Sequence, residues 1–127
     1  MLVKTSLVLT TVLVSSGAAL AESRPLAGDA LRQVLVGKTV MLNTPVGTIP
    51  ISYRENGTMS GQAKDTQLYV GRERDSGTWW VSADQICQKW ETWLKGRAHC
   101  FTVRLEGRKV HWRSTDGRTG TAIIASN

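Results

Sequence analysis

From Lys38 onward, apolar and polar side chains alternate in short runs. Ile49, Ile51 and Tyr53 alternate with Pro50, Ser52 and Arg54. Ile86 and Trp90 oppose Gln85, Cys87, Lys89 and Glu91, and Phe101, Val103 and Leu105 oppose Cys100, Thr102, Arg104 and Glu106. A period of two is the mark of strands with one buried face. Turn residues interrupt these runs roughly every 8–12 positions, as in an antiparallel meander. The strands predicted are 39–42, 49–54, 58–62, 68–71, 78–82, 85–93, 98–106, 109–113 and 121–125. Asn56-Gly57 supplies the strongest hairpin signal. The segments 43–47, 63–66 and 72–77 read as loops, the last one charged (RERDSG). Ahead of them, Leu31, Val34 and Leu35 share one face of a helix over about 29–36. Asp29 stands at its start and Gly37 at its stop. No helical pattern separates the strands, so parallel βαβ architecture is excluded. The fold expected is mainly β: a meander of about eight antiparallel strands curled into a small barrel or half-barrel, with a short N-terminal helix.

The first residues follow a different pattern. Lys4 precedes the apolar run Leu7 to Val14, and Ala19-Leu20-Ala21 fits an A-x-A cleavage site. Residues 1–21 therefore read as a signal peptide, and 22–127 as a single β domain. The apolar run is shorter than the roughly 20 residues that span a bilayer. No transmembrane segment is expected after cleavage, and the location expected is periplasmic or secreted. The sequence carries a net charge of +6. Lys4 is the only charge before residue 22, so the exported part carries +5. An excess of positive charge suits anionic envelope components. Export argues against nucleic acid as a partner.

In an oxidising compartment the two cysteines imply one disulfide, Cys87–Cys100. Strand parity puts both on the polar faces of neighbouring strands, with the hairpin turning near Trp93 to Gly96. A zinc site from Cys87, Cys100, His99 and His111 has the right atoms, but its spacing matches no ligand pattern. Ser76, His99 and Asp116 lack a nucleophile motif, and Glu55, Asp65, Asp75 and Asp84 sit in or beside turns, where such residues satisfy backbone. No cofactor, metal or catalytic residue is assigned.

Five tryptophans are many for one domain. Trp90 and Trp112 share parity with apolar neighbours and are expected in the core. Trp79 and Trp80 point to opposite faces, so at most one of them is core. Trp93, near the hairpin tip, is expected to be exposed. Contact residues are sought among Tyr53, Tyr69, Trp79, Trp80 and Trp93, with Arg72, Arg74, Lys95 and Arg97 as a basic rim. The function expected is a non-enzymatic binding or envelope-associated module for a small apolar ligand or an anionic envelope component. The alternative is a protein inhibitor or interaction partner of a secreted or periplasmic enzyme, with a periplasmic protein as the partner.

The order of motifs resembles a family. A helix ending in Leu35-Val36-Gly37-Lys38-Thr39-Val40 is followed by Tyr53-Arg54-Glu55-Asn56-Gly57-Thr58. Then come Gly77 to Val81 (GTWWV), Ile86 to Trp90 (ICQKW) and Cys100 to Val103 (CFTV). In this order the chain is similar to small exported α-proteobacterial proteins of unknown function, DUF995-like in pattern. The resemblance implies a lipocalin-like β fold and assigns no ligand.

Overall fold

A computed structural model of the chain describes residues 2–4, 8–13, 24–64 and 71–125. The signal-peptide boundary, Tyr69 and, as far as residue 70, the strand expected over 68–71 lie outside the described residues. Among the described residues nine strands and one α-helix follow in order. They are β1 (Arg24–Pro25), α1 (Gly28–Leu35), β2 (Thr39–Thr44), β3 (Gly47–Tyr53), β4 (Thr58–Gln62), β5 (Arg74–Ser82), β6 (Gln85–Trp90), β7 (Ala98–Glu106), β8 (Lys109–Ser114) and β9 (Thr119–Ile124).

Strands β2 to β9 each pair antiparallel with the next, and β9 returns to β2 through Val40↔Ile124 and Leu42↔Ala122. The eight strands thus close into a barrel, which leaves no open row of backbone donors and acceptors along its wall. β7 is long enough to pair twice on one side. Its first half takes β6, and Arg104 and Leu105 take β1. No periodicity announces a two-residue strand, and the sequence reading had this segment as a polar lead. The Asn56-Gly57 turn forms as expected: Asn56 Oδ1 accepts from the Thr58 backbone N–H at 3.0 Å, and Gly57 adopts φ +83°.

The helix closes one end of the barrel. It buries Leu31 and Leu35 and packs on β5 and β6. The Gly28 N–H donates to Ala83 O, and the Arg32 guanidinium donates to Glu55 O at 2.7 Å, so two bottom turns hold it. Asp29 lies in the first turn without capping it through its side chain. Trp79 underlies the helix. It is buried, donates Nε1–H to Arg54 O at 2.9 Å, meets Tyr53 edge-on, and has Arg32 over its ring at 5.1 Å.

Cys87 and Cys100 lie directly opposite each other on β6 and β7 and are joined by a disulfide. Closing a loop of this size stabilises the fold by about 3 kcal/mol in the chain-entropy treatment. The strand expected over 85–93 ends at Trp90, and a short 3-10 turn follows over Trp93–Gly96. Another segment differs from its expected reading as well. β5 begins at Arg74, inside the stretch read as a charged loop, and Arg74 pairs with Gln62. Its inward positions there are Asp75 and Gly77, one charged and one without a side chain. The apolar alternation that marks a half-buried strand is therefore missing from the sequence although the backbone is extended.

Candidate ligand cavity

Inward-facing side chains do not fill the barrel completely. A cavity of about 160 Å³ remains. Val40, Ile51, Ile86, Phe101, Val103 and Val110 are among the aliphatic and aromatic residues of its wall, and Leu35 of the helix lies at its floor. Aromatic surface comes from Tyr53, Trp90, Trp93 and Trp112. The lining reaches Asn43, Leu94 and Arg118, which are exposed, at the end opposite the helix. That end is the mouth.

Two glycines decide how the tryptophans sit. A Cβ on Gly61 would meet the rings of Trp93 and Trp90, and one on Gly120 would meet the ring of Trp112. The Trp112 ring lies across its neighbouring strand, and the Trp90 and Trp93 rings reach past β5 to β4, each where only glycine leaves room. Trp90 and Trp93 pack together with centroids 4.6 Å apart, and Phe101 meets Trp112 edge-on at 5.4 Å.

Trp93 corrects the sequence reading. It was expected at an exposed hairpin tip and is only 2% exposed. The β6–β7 connection folds back over the mouth because Asp75, pointing inward from β5, accepts the backbone N–H groups of Thr92 at 2.8 Å and Trp93 at 2.7 Å. The Trp93 Nε1–H donates to Arg72 O at 3.1 Å. Leu94 takes the outward position instead, 41% exposed. It pays with backbone geometry: Leu94, Lys95 and Gly96 are all left-handed, at φ +54°, +59° and +65°. Burial alone would raise the Asp75 pKa. The backbone donations from Trp93, Thr92 and Ser76 outweigh it and hold the carboxyl below its ordinary value.

Polar groups inside are few. The Tyr53 hydroxyl donates to Gln88 Oε1 at 3.2 Å, and burial pushes the pKa of that hydroxyl far up. Gln88 was not singled out as a site residue. Its signal was available, since it shares parity with Ile86 and Trp90 and is thus a polar residue on an apolar face. Leu94 and Arg118 were missed as well, and nothing local marks a turn residue as part of a cavity mouth. Arg118 donates through Nε to Asp116 at 3.1 Å. The Ser114 hydroxyl and Arg118 together hold the Asp116 carboxyl low.

Of the contact residues sought, Tyr53 and Trp93 line the cavity, whereas Trp79 sits beneath the helix. Trp80 points outward, 40% exposed, opposite Cys87. Arg72, Arg74, Lys95 and Arg97 are all exposed at the mouth end of the barrel. Ser76 is exposed on the outer face of β5, while His99 sits opposite Gln88 and Asp116 lies in the β8–β9 turn, bonded to Ser114 and Arg118. These three are not assembled as a triad. Among the described residues no three His, Cys, Asp or Glu side chains gather where a metal ion could be held. No family model, no curated protein and no solved structure matches this chain.

Proposed function

We propose that this protein is an exported binding module that holds a small apolar, ring-sized molecule inside its barrel. The observation that carries this reading is the apolar cavity of about 160 Å³ reaching exposed residues at one end. A cavity near 150 Å³ lined by aliphatic and aromatic side chains is large enough for benzene. The export pattern of residues 1–21 and the DUF995-like order of motifs are consistent with an envelope role, and the exposed basic residues at the mouth suit an anionic surface nearby.

Toluene tests the reading. Three tryptophans, Trp90, Trp93 and Trp112, line the cavity, so binding changes intrinsic fluorescence. Saturation to about 100 Kd adds roughly 2.7 kcal/mol of stability and raises Tm. Val103→Phe places a ring in the cavity and is expected to abolish both responses while the far-ultraviolet circular dichroism of the barrel persists. Toluene near its aqueous solubility that moves neither fluorescence nor Tm of the wild-type protein would sink the reading.

A further inference from the structure

The exposed apolar side chains of the barrel are not scattered evenly. Among the described residues after Arg24, three large ones are exposed: Val46, Trp80 and Leu94. Trp80 lies on the flank, opposite Cys87. Val46 and Leu94 both stand at the mouth end, on the β2–β3 and β6–β7 connections. Four strands separate those connections on either side of the barrel, so the two tips face each other across the mouth. The turns at the helix end carry no such residue. Their tips are Glu55-Asn56, Ala83-Asp84 and Gly107-Arg108.

Leu94 is the more telling of the two. Its φ of +54° is left-handed, a region that disfavours any residue with a Cβ and suits glycine. The chain therefore holds a leucine in strained backbone and in water at once. A single exposed apolar residue is ordinary, whereas strain and exposure together at the rim of an apolar cavity point to a use.

Charge surrounds these tips. Arg118 is paired with Asp116. On the mouth connections Lys64, Arg72, Lys95 and Arg97 are exposed, against the exposed carboxylates Glu73 and Glu91 among the described residues. Long Lys and Arg side chains hold their charge at headgroup level while an apolar neighbour goes deeper. A soluble polyanion would satisfy these cations and leave Val46 and Leu94 in water; a bilayer with anionic lipid meets both. The outer wall carries exposed Ser76, Thr78, Lys89 and Arg113, too polar for hydrocarbon, so the barrel can rest on a bilayer by its end and not span it.

We infer that the mouth end docks on a phospholipid bilayer bearing anionic headgroups. Val46 and Leu94 enter the interface, with Lys64, Arg72, Lys95 and Arg97 at the level of the phosphates. On the cavity reading, the barrel then opens onto the membrane, and its apolar ligand passes between the two without crossing water.

Flotation with vesicles tests this on the processed chain recovered after export. The wild-type protein floats with vesicles of phosphatidylcholine and phosphatidylglycerol, far less with phosphatidylcholine alone, and less as salt rises. Val46→Ser and Leu94→Gly both lower the partition coefficient, the second by about tenfold. Arg97→Gln lowers it about fivefold, and Trp80→Ser leaves it unchanged. Glycine suits the backbone at position 94, so a urea midpoint at or above wild type shows that binding was lost and not folding. Where a variant fails to fold, the wild-type comparison of vesicles with dextran sulfate still decides. The inference is overturned by wild-type protein that floats with neither vesicle, or by Leu94→Gly and Val46→Ser that float as the wild type does. Dextran sulfate binding as tightly as the vesicles overturns it too, and makes the occupant an anionic polymer. These vesicles hold no toluene. Docking with toluene inert therefore overturns the cavity reading alone, and toluene binding without docking overturns this inference alone.

Discussion

Asp75 is the residue whose removal should disturb this molecule most informatively. It is 8% exposed and faces the barrel interior, a costly place for a carboxylate. What holds it there is the pair of bonds from the Thr92 and Trp93 backbone N–H groups. In Asp75→Ala both donors lose their partner. Thr92 is exposed, so water replaces the carboxylate at little loss, but Trp93 is buried and its N–H is stranded. Hydrogen bonds to a charged group contribute about 1.5–3 kcal/mol each, and a stranded donor costs about 1–3 kcal/mol. Part of this is returned because a buried charge is gone. The net expectation is a loss of about 2–3 kcal/mol, equivalent to roughly 10 °C or more in Tm for a domain near 100 residues. Urea unfolding followed by tryptophan fluorescence measures it directly.

The dependence on pH gives the sharper check. The folded Asp75 carboxyl is held below its ordinary value. Its contribution is therefore complete above the unfolded pKa of about 3.9 and is lost as pH falls through the lower folded value. The stability gap between wild type and Asp75→Ala should be full at pH 7, begin to close below about pH 4, and keep closing toward pH 2. Asp75→Asn keeps an oxygen acceptor without the charge. It should lose about half as much at pH 7 and show no acid dependence from this site. A gap at pH 7 below about 1 kcal/mol, or one that widens on acidification, would refute the assignment of Asp75 as the clamp on the mouth turn.

Two further substitutions probe the interior. Gly61→Ala presses a methyl into the Trp93 ring and brings it to 3.0 Å from Trp90. Overpacking of this kind costs about 1–3 kcal/mol, and a urea midpoint indistinguishable from wild type would show that the rings have room to move. Tyr53→Phe removes the buried bond to Gln88 and should cost about 1 kcal/mol at pH 8. Burial raises the folded pKa of Tyr53, so its contribution is complete below the unfolded value of about 10 and is lost as pH rises past it. The gap should narrow by pH 11, and a gap that grows there contradicts the buried, neutral hydroxyl.

How much of this was legible in the sequence depended on how local the cause was. Strand parity placed Cys87 and Cys100 on matching faces, and they stand directly opposite. The same parity separated Trp79 from Trp80 and put Trp112 with Val110, because alternation is a property of the backbone alone. Trp93 was misread because its burial is decided by Asp75, 18 residues away. A carboxylate beside a turn signals that it satisfies some backbone, and not which one. The start of β5 was misread for a related reason, since its inward residues are the clamp and a glycine that makes room for neighbours. The cavity itself depends on glycine facing tryptophan across strands, a pairing that appears only once the register is known.

The titratable groups of the cavity wall are already committed to partners within the fold. Among the described lining residues the titratable groups are Tyr53 and Arg118. Burial keeps the Tyr53 proton in place far above neutral pH, and its hydroxyl is committed to Gln88. Arg118 is bonded to Asp116, whose carboxyl the Ser114 hydroxyl and Arg118 hold in the ionised form. The helix floor, fixed by Arg32 and the Gly28 N–H to two turns, leaves the Leu94 end as the route of exchange. On the binding function proposed above, entry and release would pass the turn whose Thr92 and Trp93 backbone N–H groups Asp75 holds, so the carboxylate that stabilises the barrel would also govern how readily its mouth admits a ligand.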